Sequence, residues 1–331
     1  MPRDRRPAIR YIQAPSPARR REPPLPIPTP MRSTNHALGA RLALAGASLL
    51  WSGNSAFIKG CALTSWQVAS FRSGVAAVVF LVLLPEARRW PSARALAVGA
   101  AYAGTMMSFA LANKLTTGAS AVFLQATAPL WVMALAPWVL GEHASRRDAV
   151  AMGFLAAGMA LFFVSSDPPS TTAPAPLAGN ALGLVSGITW ALTVIGFRRL
   201  RMAEGSGSGE SAVPSALVMG NVIAFGAGLV PALPVGVVRV EDLAIVAWLG
   251  AMSIALAYVL FTRGLKRVSA LEASLICLLE PVLNPVWTWL AHGERPNRWS
   301  LVGGAVILGT TTVKTWLDTR DLTRAAPAAA G

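Results

Sequence analysis

The chain has 331 residues, 54% of them hydrophobic and only 13% charged, yet its 29 Lys and Arg against 15 Asp and Glu give a formal charge of +14. A soluble domain carries roughly 25% charged residues, and a basic nucleic-acid binder gains its charge by adding Lys and Arg to a polar chain, so this oily composition argues against both. At about 20 residues per membrane crossing, there is room for up to about ten spans.

Residues 1–36 hold eight arginines against Asp4 and Glu22, with nine prolines before residue 31. Such a segment buries too little apolar surface to fold and is predicted to be a disordered cytoplasmic tail. Its prolines interrupt every candidate h-region of a secretory signal. Met31 leads straight into the first apolar run and reads as the natural start, which would leave residues 1–30 untranslated. Apolar segments follow at about 38–58, 65–84, 95–113, 118–140, 148–165, 178–197, 213–234, 243–262, 270–291 and 299–317. None alternates with period two as a membrane barrel strand does, so each is predicted to be a helix that satisfies its own backbone. Cys61 and Cys277 are too few and too far apart in the chain for a disulfide framework.

With the amino terminus inside and ten spans, fourteen cations outside the tail fall on the inner side and five (Lys59, Lys114, Arg239, Arg295 and Arg298) on the outer side. The positive-inside rule gives this distribution. Both termini are therefore predicted to be cytoplasmic, in a bacterial-type inner membrane. A weak duplication runs through the chain. At a spacing of 152, Pro129 matches Pro281, Gly141-Glu142 matches Gly293-Glu294 and Arg146 matches Arg298. At a spacing of 139, Trp51 matches Trp190 and Lys59 matches Arg198. The two spacings differ by about the length of the Gly/Ser-rich insert Glu204 to Ser211. The predicted organisation is a tail at 1–36, a first repeat at 37–165, an external linker at 166–177, a second repeat at 178–317 and a tail at 318–331. Five spans per repeat is an odd number, so the second repeat enters from the opposite side. The predicted fold is an all-α polytopic membrane protein of ten helices in two inverted five-helix repeats, an arrangement that suits alternating access.

Several motifs carry a family resemblance. They are Trp51-Ser52-Gly53-Asn54 with Lys59, Arg72, Ala128-Pro129, Gly141-Glu142, Leu256-Ala257-Tyr258 through Leu265-Lys266-Arg267, Leu279-Glu280-Pro281, Gly293-Glu294-Arg295 and Gly303-Gly304. Over about residues 38–317 the chain resembles the EamA-type members of the drug/metabolite transporter superfamily. The resemblance implies ten spans in two inverted repeats. It also implies a cavity lined by spans 1, 3, 4, 6, 8 and 9, and export of amino acids, related metabolites or small toxic organics, without specifying a substrate.

Glu280 is the only carboxylate near mid-membrane, where a charge costs at least about 2.5 kcal/mol unless it faces a cavity or is neutralised. It is either a substrate-amine or proton site, or an acceptor for backbone groups that Pro281 and Pro285 release. Arg72 lies roughly 10 Å inside span 2 at the helical rise; it suits a substrate carboxylate or ion coupling, but snorkelling to the outer interface accounts for it more cheaply. Trp190 shares a face with Ser186 and Thr193, and Trp51 lies close to Asn54 and Ser55, a mixture that suits an amphipathic metabolite. Gln125, Tyr258 and Asn284 are uncharged polar residues within spans, serving either as substrate contacts or as interhelical hydrogen bonds. Met106 and Met107 read as packing. Lys59 and Arg198 read as interfacial anchors, while Glu142 and Glu294, each with a cation four residues on (Arg146 and Arg298), read as structural ties of a helix end to its neighbour, and as gates only if their pairs break between states.

His36, His143 and His292 all fall at span ends and no span has an interior aspartate, so neither a His-ligated metal site nor an intramembrane hydrolase can be assembled. Gly205 to Glu210 lacks the Lys-Ser/Thr of a phosphate loop. No cofactor is expected and the chain is not read as an enzyme. Its partners are a small-molecule substrate and the lipid bilayer, not nucleic acid, with monomer and homodimer both open. The expected function is secondary-active or facilitated export of amino acids or related metabolites. An uptake carrier for other organic solutes and a non-transporting scaffold or sensor are the alternatives.

Overall fold

The computed structural model describes residues 34–88, 90–140, 145–164, 168–204, 212–265, 273 and 276–325. Thr34–Gly331 form a unit of their own, and among the described residues every regular element is helical. Residues 1–33 of the expected tail, residues 205–211 of the Gly/Ser insert and the motif residues Gly141, Glu142, Lys266 and Arg267 lie outside the described residues, while residues 34–36, expected in the tail, begin the first helix.

In chain order, α1 (Thr34–Ser52) and α2 (Asn54–Gly60) are separated at Gly53. Helices α3 (Ser65–Leu83) and α4 (Ala93–Leu115) follow, then α5 (Gly118–Gln125) and α6 (Ala128–Leu140) on either side of Ala126-Thr127, and α7 (Arg146–Val164). The second half opens with α8 (Pro176–Glu204) and α9 (Val213–Ala232). Next, α10 (Val240–Trp248) runs through a π-helical stretch, Leu249–Leu256, into α11 (Ala257–Leu265), and α12 (Leu279–His292) and α13 (Arg298–Ala325) end the series.

The starts of these helices are encoded locally. Thr64 and Gln67 form a reciprocal capping box at α3, the Gln67 N–H donating to Thr64 Oγ1 at 3.2 Å and the Thr64 N–H to Gln67 Oε1 at 3.0 Å. Ser92 and Thr117 cap α4 and α5 in the same way, accepting from the N–H groups of Ala95 and Ser120. Two interruptions have a common cause. Pro129 and Pro281 each lack an N–H and crowd the carbonyl four residues back, so the chain breaks at Ala126-Thr127 and at Leu278. Leu278 stands 152 residues after Ala126, the spacing of the duplication.

Among the described residues, seven stretches are long and apolar enough to cross a membrane: 65–83, 93–115, 118–135, 146–164, 176–203, 213–232 and 240–264. The first, ninth and tenth predicted segments fall short for identifiable reasons. The α1–α2 rod begins with polar residues, carries Arg41 and breaks at Gly53; α12 has only 14 described residues; α13 carries Thr310, Thr311, Thr312 and Lys314. Polar side chains inside the bundle are largely spent on their own helices. Ser48, Ser73, Asn113 and Asn221 each donate to the carbonyl four residues earlier, as groups without water must.

Packing repeats across the two halves. Helix α4 lies against α8 and α9, while the α10–α11 rod lies against α1 and α3. Helix α3 packs on α9, α7 on α13, the α5–α6 pair on α8 and α12 on α1 and α2. Exchanging each first-half helix for its second-half counterpart reproduces this set of pairs. The largest apolar cluster gathers Phe80, Tyr102, Phe197, Leu217 and Tyr258 where α3, α4, α8, α9 and α11 meet.

Candidate functional site

Four irregularities of the helices converge on one cavity of about 110 Å³. Asn54 enters it beside the Gly53 break, Gln125 beside the Ala126-Thr127 break, Glu280 just past the Leu278 break, and Ser253 and Ile254 from the π-helical stretch. Broken helices are tolerated at membrane depth where they line a cavity. Trp51, Arg72, Tyr102, Thr105, Met106, Phe109, Trp190 and Tyr258 complete the lining. Of the residues expected from sequence, Asn54, Arg72, Gln125, Trp190, Tyr258 and Glu280 therefore share this space.

Asn284 does not join them. It is fully buried on α12, and its amide has no hydrogen-bond partner among the described residues.

Arg72 departs from the snorkelling expectation. Only 1% of it is exposed, and instead of reaching back along α3 it donates through Nη2 to the Met106 carbonyl of α4 at 2.6 Å. Its Nε is buried without a partner among the described residues. Glu280 departs from the backbone-acceptor expectation, since no hydrogen bond or ion pair joins its carboxylate to a described residue. It occupies the first turn of α12, where the partial positive charge of the helix start favours an anion. The two are the only charged residues of the lining, one of each sign, and neither is ion-paired among the described residues.

The uncharged polar groups are held by neighbours. Ser253 Oγ donates to Asn54 Oδ1 at 2.7 Å, joining the π-helical stretch to α2. Gln125 Nε2 donates to Ser186 Oγ at 2.9 Å, joining α5 to α8. Thr105 Oγ1 lies 3.1 Å from Thr189 Oγ1 across α4 and α8. Around Tyr258 the rings of Phe80, Phe197 and Phe261 sit at centroid distances of 6.3, 6.2 and 6.3 Å, and Trp51 lies 5.2 Å from Phe261. One wall is thus aromatic.

Sequence reading missed Tyr102, Thr105, Phe109, Ser253 and Ile254, and assigned Met106 to packing alone. Tyr102 was open to notice as a polar aromatic in mid-span. Ser253 gave no signal, because nothing in the hydropathy of 249–256 marks a π-helix.

The profile of the EamA-like transporter family matches residues 38–164 and again residues 177–315. The chain belongs to the EamA-like transporter family. Two matches to one profile agree with the repeated helix packing, and family and apolar helices together make this a multi-pass membrane protein. Among curated relatives, this EamA-like chain is 24% identical to an uncharacterized transporter of Archaeoglobus fulgidus, over 84% of this chain and 96% of that one. It is 29% identical to the uncharacterized protein PA1977 of Pseudomonas aeruginosa, over 81% of this chain and 91% of that one. A solved crystal structure shares the fold, with a TM-score of 0.56 and 20% identity over 85% of this chain and 98% of that one.

Proposed function

We propose that the chain is a secondary-active or facilitated transporter that exports amino acids or related small metabolites by alternating access. In this reading it crosses an inner (plasma) membrane ten times, in two inverted five-helix repeats with both termini cytoplasmic. The observation that carries it is the cavity with one cation and one anion, neither ion-paired among the described residues, and an aromatic wall. A charge held at membrane depth costs at least about 2.5 kcal/mol, so two such charges in one space call for a solute that complements both. A zwitterion does so. Its carboxylate meets the forked donors of Arg72, its ammonium meets Glu280, and its apolar body lies against Trp51, Trp190 and Tyr258. A phosphorylated solute would want several cations, and the lining offers one.

The test is counterflow in liposomes, screening labelled amino acids, polyamines and cationic dyes. Counterflow of amino acids supports the reading. Counterflow of polyamines or dyes alone contradicts the zwitterion assignment, and counterflow of nothing favours a non-transporting scaffold.

A further inference from the structure

One face of the bundle is closed by a buried ion pair that the cavity does not use. Lys59, ending α2, places Nζ 2.7 Å from Glu294 Oε1, with the two side chains 3% and 1% exposed. Lys59 also donates to the carbonyls of Thr116, at 2.7 Å, and Thr172. Glu294 Oε2 accepts from the Gly118 N–H at 2.9 Å. The pair thus ties the end of α2, the α4–α5 junction, the segment before α8 and the start of the α12–α13 link into one knot. Lys59 is thus buried in an ion pair and not held at an interface, and Glu294 ties its helix end to a neighbour as expected, but through Lys59 and not Arg298.

Two glycines shape the knot. Gly293 ends α12 in the left-handed conformation, at φ 67°, the usual way to stop a helix and turn the chain, and the next residue is Glu294. Gly118 sits where a Cβ would lie 2.8 Å from Ser55 Cβ and 2.6 Å from Thr288 Cγ2, so α5 meets α2 and α12 with no space between them. His292 Nε2, 2.8 Å from the Ala56 carbonyl, adds a further tie between α12 and α2.

The repeat supplies an internal comparison. Arg198 stands at the position equivalent to Lys59. It lies near the far end of α8, about 33 Å along the helix from Pro176 at the ordinary rise, and it is exposed, whereas Lys59 is buried. Equivalent positions in the two repeats are therefore in different states on opposite faces.

We infer that the Lys59–Glu294 pair is the latch that holds this face shut, and that it separates when the cavity opens there. Closing buries both charges against each other and against backbone groups; opening returns both to water, where neither needs the other. This rests on the transport reading, but it can be read without any solute.

The test places a reporter cysteine in the cavity by Met106→Cys, with Cys61→Ser and Cys277→Ser. Its labelling by a membrane-impermeant thiol reagent is followed in sealed vesicles of both orientations. Lys59→Gln and Glu294→Gln are each expected to raise labelling from the Lys59 face by on the order of ten-fold, as a shifted two-state equilibrium does, with labelling from the opposite face falling. The charge swap Lys59→Glu with Glu294→Lys is expected to return labelling toward the parent rate. Arg198→Gln is expected not to open the Lys59 face.

Folded variants that label at the parent rate, or equally faster from both faces, overturn the latch. If Lys59→Gln does not fold, Glu294→Gln keeps the side-chain shape and carries the same outcomes. Opening without counterflow removes the transport reading alone, whereas counterflow with unmoved labelling removes the latch alone.

Discussion

Arg72 and Glu280 set the chemistry of the cavity, and they were not equally legible. A lone carboxylate in mid-span marks itself in the sequence. Arg72 marks itself as a candidate too, but snorkelling accounts for it more cheaply in sequence, because its depth in α3 cannot reveal that α4 presents the Met106 carbonyl to it. Replacing Arg72 by Gln removes the charge and the fork. Losing a charge-assisted partner at about 2 kcal/mol corresponds to about a 30-fold rise in the solute concentration that half-saturates counterflow. Arg72→Lys is expected to fall between Gln and the parent, since an ammonium keeps the charge without the planar fork. An unchanged half-saturation in folded Arg72→Gln removes Arg72 from the site.

Cys61 offers a separate check of burial near the closed face. It lies between α2 and α3, outside the membrane-crossing stretches, and burial pushes its thiol up from the ordinary range. A protonated, enclosed thiol reacts slowly. Alkylation of Cys61 in detergent at neutral pH is expected to lag far behind the unfolded chain when followed by peptide mass, and equal rates would contradict that burial.

At the scale of elements, hydropathy shows where helices run, while their starts come from the structure, as in the capping box at Thr64 and Gln67. Thr64→Ala is expected to destabilise the protein by about 1 kcal/mol, seen as a lower thermal midpoint in detergent with the half-saturation of counterflow intact. An unchanged midpoint would mean that the cap contributes nothing to this helix. Local reasoning failed where tertiary packing decides. Glu294 has Arg295 and Arg298 close by in the sequence, yet its partner Lys59 lies on α2. Asn284 is polar and in mid-span, which points to the site in sequence, but packing buries it off the cavity lining. The proline breaks themselves were visible in the sequence. That three breaks and a π-helical stretch meet at one place was not.

For the whole molecule, the duplication read from Pro, Gly-Glu and Arg has a physical counterpart in the exchangeable helix pairs and in breaks 152 residues apart. The overall charge of +14 resolves into a basic tail and basic loops around a nearly neutral interior, in which Arg72 and Glu280 stand out because little else there is charged. The central claim is that those two charges select a zwitterion. Counterflow in liposomes with a transported amino acid, its methyl ester and its N-acetyl derivative tests it most directly. The ester lacks the carboxylate for Arg72 and the acetylated form lacks the ammonium for Glu280. Counterflow by the free amino acid, with both derivatives losing it, is the expected result; either derivative exchanging as well as its parent would contradict the claim.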